Sequence, residues 1–260
     1  MQCKTEWFND DDFWERYAPI MFDDKRWEEV PLVVQGIKRL VGLPVHDNDK
    51  LPSALDLCCG FGRITLELAR EGFCATGVDI TASYLTAAKE DARHEGLTVE
   101  FIHEDVRNFK RPAAFDLVLN LYNSFGFFED ESDDLLFARN AWYSLKEEGS
   151  FLIEVQGKEL AVSDYTESAW FKRAGYFVLT ECKVLDSWAS VENRWTLIKD
   201  GVKYEKEFCQ RLYSAVELRA LLYRAGFSVV DIYGGWDGRS YDANADTLIV
   251  IGRKDEKALA

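Results

Sequence analysis

The residues best placed for chemistry are two glycines and an aspartate that follow apolar segments. Gly60 and Gly62 come directly after the apolar segment 54–58, and a helical pattern begins at once. Glycine permits a tight turn and leaves no Cβ in the way of a ligand, while the first N–H groups of the helix point over that turn. Asp79 ends a second apolar segment. A carboxylate there can accept both hydroxyls of a ribose, so these residues predict a site for a nucleoside cofactor.

The residue that follows the glycines distinguishes between cofactor classes. A dinucleotide fingerprint requires Gly or Ala three residues after the second glycine, for close packing of the helix on the strand. Thr65 occupies that position in this chain. The prediction of an NAD-dependent oxidoreductase is therefore weakened, and it stays an alternative.

Four segments, in the expected order, resemble the motifs of class I S-adenosylmethionine-dependent methyltransferases. They are Asp56–Gly62 (Asp-x-x-Cys-Gly-x-Gly), Gly77–Ile80, Glu104–Val106 and Phe115–Asn120. The third is similar to the acidic turn that holds the adenine amino group in that family. The resemblance implies S-adenosylmethionine as the cofactor and S-adenosylhomocysteine as its product.

The resemblance also implies roles for individual residues. Asp79 is assigned to the ribose, Asp105 to the adenine amino group and the Val106 N–H to the adenine ring. Asp56 either organises the glycine turn or meets the ammonium group of the cofactor, and Arg63 is a candidate partner for the methionine carboxylate. The cofactor-binding candidates are Asp56, Cys58, Gly60, Gly62, Arg63, Asp79, Ile80, Asp105, Val106 and Asn120.

Polar side chains that follow the fourth and fifth strands are candidates to act on a methyl acceptor. Ligands gather where parallel strands end, so we expect Asn120 nearest the reactive sulfonium, with Tyr122 and Asn123 in the next loop. Glu154 and Gln156 share a face at the end of the fifth strand, where an inward polar group needs a partner or a ligand. The catalytic candidates are Asn120, Tyr122, Glu154 and Tyr17, and the substrate-binding candidates are Asn123, Gln156 and Arg211.

Two of these candidates have a structural alternative. Tyr17 lies in the aromatic-rich stretch 7–27, which is a hydrophobic helix face or, with a neighbouring Trp, an enclosure for the sulfonium. Arg211 follows a set of predicted strands, where its planar guanidinium can clamp a substrate carboxylate or form a structural ion pair. Both pairs of alternatives stay open.

The order of elements predicts the fold class. Strands and helices alternate from residue 53 to 155, which predicts right-handed crossovers and a parallel sheet. Three strands rich in β-branched and aromatic residues follow, with Asp200-Gly201 as a hairpin turn. A helix then begins at Ser214, which forms a capping box with Glu217, and two last strands end the fold. The inserted strands are predicted at 176–187, 190–199 and 202–212.

We therefore predict an α/β fold with a Rossmann-like, seven-stranded, mostly parallel sheet flanked by helices, an inserted antiparallel β lid and N-terminal helices. This arrangement resembles glycine and sugar-amine N-methyltransferases. The predicted domains are an N-terminal helical lid (1–45), a Rossmann-like methyltransferase domain (46–172 and 213–254) and an inserted antiparallel β subdomain (173–212).

The composition argues against nucleic acid and membrane partners. The net charge is −15, whereas proteins that grip nucleic acid concentrate Lys and Arg. No apolar run approaches the length of a membrane span. The six cysteines lack Cys-x-x-Cys spacing and the N-terminus lacks a signal-peptide pattern, so we predict reduced thiols and a cytoplasmic location. The three histidines are too scattered to predict a metal site.

The predicted function is S-adenosylmethionine-dependent methyl transfer to a small-molecule acceptor, at an N- or O-nucleophile, by in-line displacement. The alternatives are the NAD-dependent oxidoreductase and a non-catalytic S-adenosylmethionine-binding protein, with an RNA methyltransferase as a weaker third. The sequence does not predict the identity of the acceptor or the oligomeric state.

Overall fold

The structure is a computed structural model that describes residues 6–42 and 51–255. Its N-terminal part is helical, with a 3₁₀ turn (Trp7–Asn9), α1 (Asp11–Met21), α2 (Asp24–Glu28) and α3 (Val30–Val41). The other elements, in chain order, are β1 (Ser53–Leu57), α4 (Arg63–Arg70), β2 (Cys74–Asp79), α5 (Ala82–His94), β3 (Glu100–His103), β4 (Phe115–Asn120), α6 (Glu131–Ser144), β5 (Leu145–Val155), α7 (Lys158–Ser163), β6 (Ser168–Arg173), β7 (Tyr176–Leu185), β8 (Ser190–Lys199), β9 (Val202–Arg211), α8 (Ala215–Ala225), β10 (Val229–Tyr233) and β11 (Leu248–Arg253).

Seven strands form the central sheet, in the order β10-β11-β5-β4-β1-β2-β3. β1 to β5 pair in parallel, whereas β11 is antiparallel to both β5 and β10. All six residues of β4 are buried, and four of them are apolar, as expected for a central strand that is covered on both faces. The predicted Rossmann-like, mostly parallel sheet is confirmed.

A second, antiparallel sheet has the strand order β6-β7-β8-β9. The sequence analysis predicted β7, β8 and β9 within a few residues but missed β6, an edge strand whose residues are mostly exposed and show no apolar alternation. It also missed the six-residue helix α7. The domain boundaries stay a prediction, although the antiparallel sheet begins at Ser168, ahead of the predicted boundary at residue 173.

The first helix packs against the antiparallel sheet. Phe13 and Tyr17 on α1 are fully buried, and the Tyr17 hydroxyl donates a hydrogen bond to the Trp195 carbonyl on β8 (2.6 Å). At the start of α1, the Asp10 carboxylate pairs with Lys206 on β9. The N-terminal helices are thereby fixed to the inserted strands on one side and face the central sheet on the other.

Two observations concern the predicted location of the protein. Four cysteines carry free thiols, namely Cys58, Cys59, Cys74 and Cys182. Cys209 is disulfide-bonded, so the prediction of reduced thiols throughout is wrong at this residue, and Cys3 lies outside the described residues. Within residues 6–42 and 51–255, no helix has the length and apolar character needed to cross a membrane.

The start of α8 gives a test of the fold. The Ser214 hydroxyl accepts the Glu217 N–H (3.2 Å), and the Glu217 carboxylate accepts the Ser214 N–H (2.8 Å), as the sequence predicted. Ser214→Ala should lower the free energy of unfolding by about 1 kcal/mol and Tm by about 2–4 °C. The control is Val216→Ala, an exposed position in the same helix, which should leave Tm within about 1 °C. Equal Tm values for the two variants contradict the prediction.

Candidate functional site

A cavity of about 380 Å³ lies at the carboxyl edge of the parallel strands. Its lining comes from the loops after β1, β2, β3 and β4, from the end of β5, from the N-terminal helices, and from β8 and β9. Ligands of open α/β sheets bind at this edge. The cavity is therefore the candidate functional site.

Asp79 connects two loops of the cavity floor. One carboxylate oxygen accepts the Gly60 N–H (2.7 Å), and the other accepts the Thr81 N–H (2.8 Å). Burial raises the pKa of Asp79, and these hydrogen bonds counteract the effect because they stabilise the charged form. Asp79 thus fixes the glycine turn after β1 to the end of β2, and it also lines the cavity.

The two glycines of the turn have different functions. Both have left-handed backbone, with φ of 55° at Gly60 and 71° at Gly62. Gly60 lines the cavity, and a Cβ on it would come within 3.0 Å of the Phe22 ring. A Cβ on Gly62 would come within 2.8 Å of the Phe101 ring on β3. Gly60 therefore lets the Phe22 ring pack close to the turn, whereas Gly62 lets the start of α4 approach β3.

Asp56 lies near the end of β1 and contacts Thr65, the residue that departs from the dinucleotide fingerprint. The Thr65 hydroxyl donates a 2.6 Å hydrogen bond to the Asp56 carboxylate, which favours the role in organising the turn. Burial raises the pKa of Asp56 to about 7, although the hydrogen bond from Thr65 opposes this shift. Asp56 also lines the cavity, so contact with a ligand ammonium stays open.

Arg63, the first residue of α4, is a buried cation in the cavity lining. It donates a hydrogen bond to the Arg26 carbonyl, and its guanidinium lies 4.5 Å from the centre of the Tyr122 ring and 5.2 Å from that of Phe22. In the described parts of the chain, no acidic side chain forms an ion pair with it. A buried guanidinium without a carboxylate partner is suited to bind an anionic group of a ligand.

Asp105 has a partner that the sequence analysis missed. Arg107 donates to the Asp105 carboxylate through Nη2 (2.6 Å), Nε (3.0 Å) and its backbone N–H (2.8 Å). Burial alone would raise the pKa of Asp105, but the bonds from Arg107 outweigh it and lower the pKa. Asp105 lines the cavity together with Val106 and Ile80, and its carboxylate stays ionised there.

The loop after β4 is strained where it meets the cavity. Tyr122 and Asn123 both have left-handed backbone, with φ of 57° and 63°, which residues other than glycine rarely adopt. Three contacts fix this conformation: the Gln156 N–H donates to the Asn123 side-chain oxygen (2.5 Å), the Gln210 amide donates to the Asn123 carbonyl (2.9 Å), and Glu154 accepts the Tyr122 N–H (2.7 Å). Strain of this kind concentrates at functional sites.

Glu154, near the end of β5, contributes a carboxylate to the cavity lining beside this loop. Its second carboxylate oxygen accepts the Thr247 hydroxyl (2.6 Å), so both oxygens hold parts of the protein. Burial raises the pKa of Glu154, and burial likewise raises the pKa of Tyr122. The Tyr122 hydroxyl is buried and forms no hydrogen bond of ordinary geometry within the described residues, although the nearby Glu29 carboxylate contributes to its raised pKa.

Some predicted site residues do not line the cavity, namely Gly62, Tyr17, Asn120, Gln156 and Arg211. Tyr17 is fully buried behind the lining, because its hydroxyl is held by the Trp195 carbonyl. Asn120 is also fully buried, and its amide donates to the Leu57 carbonyl (2.9 Å). The exposed Gln156 reaches the site through its backbone alone. None of these five residues is in the cavity lining, and their roles toward a ligand stay predictions.

Gln210 lines the cavity on β9, whereas its neighbour Arg211, the predicted residue, does not. Side chains alternate along a strand, so Phe208 and Gln210 of β9 face the cavity while Arg211 points away. Arg211 donates to the Glu129 carbonyl (2.6 Å) and lies 3.5 Å from the Asp134 carboxylate, which is the structural alternative. The alternation of β9 was the signal that could have identified Gln210. Other lining residues not singled out by sequence are Trp14, Arg26, Thr81, Tyr84, Ser124 and Arg173.

Comparisons with known proteins agree with this geometry. Residues 54–149 match the family described as a methyltransferase domain. A relative from Geobacillus sp. (strain WCH70), named provisionally as a methyltransferase, is 26% identical over 213 residues, which cover 77% of this chain and 83% of that protein. A structure of an S-adenosylmethionine-dependent methyltransferase from Clostridium acetobutylicum has a TM-score of 0.74 at 17% identity, covering 94% of this chain and 98% of that one. An amino pentose methyltransferase from Micromonospora echinaspora, with bound S-adenosylmethionine, has a TM-score of 0.65 at 19% identity, covering 94% and 97%.

The raised pKa of Asp56 gives a test without any ligand. A carboxyl with a pKa of about 7 in the folded chain and 3.8 in the reference state adds stability below pH 4, and this stability is lost as the pH rises through 7. Between pH 5 and 8 the free energy of unfolding of the parent chain should fall by on the order of 2 kcal/mol more than that of Asp56→Asn. Urea unfolding at both pH values measures the difference.

Asp116→Asn is the control for this test. Asp116 is also buried, which alone would raise its pKa, but its pair with Lys146 (2.8 Å) and its hydrogen bonds from Ser53 together outweigh burial and lower the pKa. A lowered pKa adds stability above pH 4 that is lost only in acid, so the cost of Asp116→Asn should be the same at pH 5 and 8. The same pH dependence in both variants contradicts the assignment to Asp56.

Proposed function

We propose that this chain is a class I S-adenosylmethionine-dependent methyltransferase and that it transfers the methyl group to a small-molecule acceptor at a nitrogen or oxygen nucleophile. The observation that supports this proposal is one continuous cavity. It joins the motif residues at the edge of the parallel sheet to aromatic side chains of the N-terminal helices and the antiparallel sheet. The amino pentose methyltransferase of similar fold is named for a small-molecule acceptor, which agrees with the proposal.

The residues of the sheet edge fit the adenosyl part of the cofactor. The two backbone hydrogen bonds to Asp79 stabilise its charged form and leave lone pairs on both oxygens, as a partner for two ribose hydroxyls requires. Ile80 and Val106 supply apolar lining for the adenine ring, and Asp105 supplies an acceptor for its amino group. Because Arg107 already occupies part of the Asp105 carboxylate, we expect Asp105 to contribute less to affinity than Asp79.

Arg63 fits the amino-acid part of the cofactor. Its guanidinium is buried beside the glycine turn and has no carboxylate partner within the described chain. Its partners are a backbone carbonyl, ring faces and the charge of Asp56 at longer range, so a ligand carboxylate would supply the direct ion pair that it lacks. We therefore assign the methionine carboxylate to Arg63 and the ammonium group to the acidic surroundings of Asp56.

The acceptor side of the cavity aligns the nucleophile. Bound S-adenosylmethionine supplies an electrophilic methyl group, and transfer in line requires alignment and exclusion of water more than a strong base. Burial keeps Tyr122 protonated, so its hydroxyl acts as a donor that orients the acceptor. Glu154 holds the strained loop through the Tyr122 N–H, so we assign it to positioning rather than to proton transfer.

The first test removes the carboxylate assigned to the ribose. Asp79→Ala should weaken the binding of S-adenosylhomocysteine roughly 100-fold or more, as expected for two hydrogen bonds to a charged group. The affinity for 5′-methylthioadenosine, which keeps the ribose but lacks the amino-acid part, should fall as far. Calorimetric titration gives both values. Asp231→Ala, on β10 beside Arg253, is a control that leaves the cavity intact. Unchanged affinity in Asp79→Ala would place the ribose elsewhere.

The second test separates Arg63 from Asp79. Arg63→Ala should weaken the binding of S-adenosylhomocysteine by roughly tenfold or more, because the carboxylate loses its cation. It should leave the affinity for 5′-methylthioadenosine within about twofold, since that ligand has no carboxylate. Arg16→Ala, an exposed arginine of α1, should change neither value. Equal losses for both ligands in Arg63→Ala refute the assignment to the carboxylate.

A further inference from the structure

Six aromatic side chains line the side of the cavity that faces the sheet edge. They are Trp7, Phe13, Trp14, Phe127, Trp195 and Phe208, which we call the ring wall. Their rings form a connected set, with centroid distances of 4.9 Å between Trp7 and Phe127, 4.9 Å between Trp7 and Phe208, and 5.7 Å between Trp195 and Phe208. The ring wall combines residues from the N-terminal segment, the loop after β4 and the antiparallel sheet.

The polar atoms of the ring wall are largely satisfied inside the protein. The Trp7 indole N–H donates to the Cys209 carbonyl (2.8 Å), and the Trp14 indole N–H donates to the Phe8 carbonyl (2.6 Å). These two indoles therefore offer carbon surface, and no free donor, to a ligand. The amide of Gln210, which neighbours Phe208 on the same strand face, donates to the Asn123 carbonyl (2.9 Å).

The cations of the cavity are also committed. Arg26 forms an ion pair with Glu29 (2.9 Å), and Arg173 forms one with Asp23 (3.2 Å). Arg63 is the cation that the proposed function assigns to the cofactor. No lysine is among the described residues that line the cavity. An acceptor with a carboxylate or phosphate would thus lose its hydration without gaining an ionic partner.

We propose that the methyl acceptor is a molecule without negative charge and with an aromatic or other flat apolar body, which packs against the ring wall. The proposal rests on the proposed function, because it treats the ring wall as the acceptor side of a methyltransferase cavity. Rings gain from offset or edge contacts with other rings, and the apolar body gains from leaving water. The acceptor is then selected by apolar surface and by the absence of negative charge.

A pair of fluorescent probes tests this selection. N-Phenyl-1-naphthylamine is neutral, and 1-anilinonaphthalene-8-sulfonate has the same ring body with an added sulfonate. Each is titrated into the chain saturated with S-adenosylhomocysteine, whose binding is first established by calorimetry. The neutral probe should bind with a Kd at least roughly tenfold lower than that of the sulfonate. The titrations are repeated in about 1 M salt, where the repulsion from the net charge of −15 is screened and the preference should persist.

Substitutions in the ring wall locate the bound probe. Phe127→Gln and Trp195→Gln, which are half-buried residues of different elements, should each weaken binding of the neutral probe at least roughly fivefold. Retained affinity for S-adenosylhomocysteine shows that each variant is folded. Phe109→Gln is the matched control, because Phe109 is half-buried in the core outside the cavity lining, and it should leave probe binding unchanged.

The outcomes separate the two proposals. If S-adenosylhomocysteine does not bind the parent chain, the proposed function fails. If it binds but the sulfonate probe binds as tightly as the neutral one in high salt, the inference about the acceptor is overturned. The same holds if the neutral probe does not bind, or if its binding survives both ring-wall substitutions. The expected preference in the parent chain, together with weaker binding of the neutral probe in both variants, supports the inference.

Discussion

The site depends on one buried carboxylate, Asp79, and its two hydrogen bonds to backbone N–H groups. Burial disfavours the charge of this group, so the Gly60 and Thr81 N–H groups are what stabilise it. The same bonds hold the turn after β1 against the loop after β2. The rigidity of the cavity floor and the charge that Asp79 presents to the cavity therefore have a common physical origin. A change in either loop would alter both.

The upper part of the cavity has a different origin. α1 is fixed to the antiparallel sheet by the Tyr17 hydroxyl and by the pair of Asp10 with Lys206, and to the central domain by the Tyr84 hydroxyl, which donates to the Trp14 carbonyl. The inserted strands and the N-terminal helices thus behave as one cover over the sheet edge. The floor of the cavity is built from motif residues, and the cover is built from residues outside the motifs.

Local signals in the sequence were sufficient for the central sheet, the glycine turn and Asp79, because turn geometry, strand periodicity and helix caps act over a few residues. They failed where contacts between distant parts of the chain determine the local structure. The edge strand β6 has little apolar pattern, since its residues are mostly exposed. The left-handed backbone at Tyr122 is held by contacts from β5 and β9 that no local pattern reports. Arg211 was chosen by residue type, although the alternation along β9 favours Gln210.

The central claim is that the adenosyl group lies across the carboxyl edge of the sheet, anchored at the end of β2. The most direct measurement is a crystal structure of the chain with S-adenosylhomocysteine. The account predicts both ribose hydroxyl oxygens within about 3 Å of the Asp79 carboxylate, the ligand carboxylate beside Arg63 and the sulfur facing the ring wall. A ribose bound away from Asp79, with that carboxylate making only its two bonds to the backbone, would contradict the account.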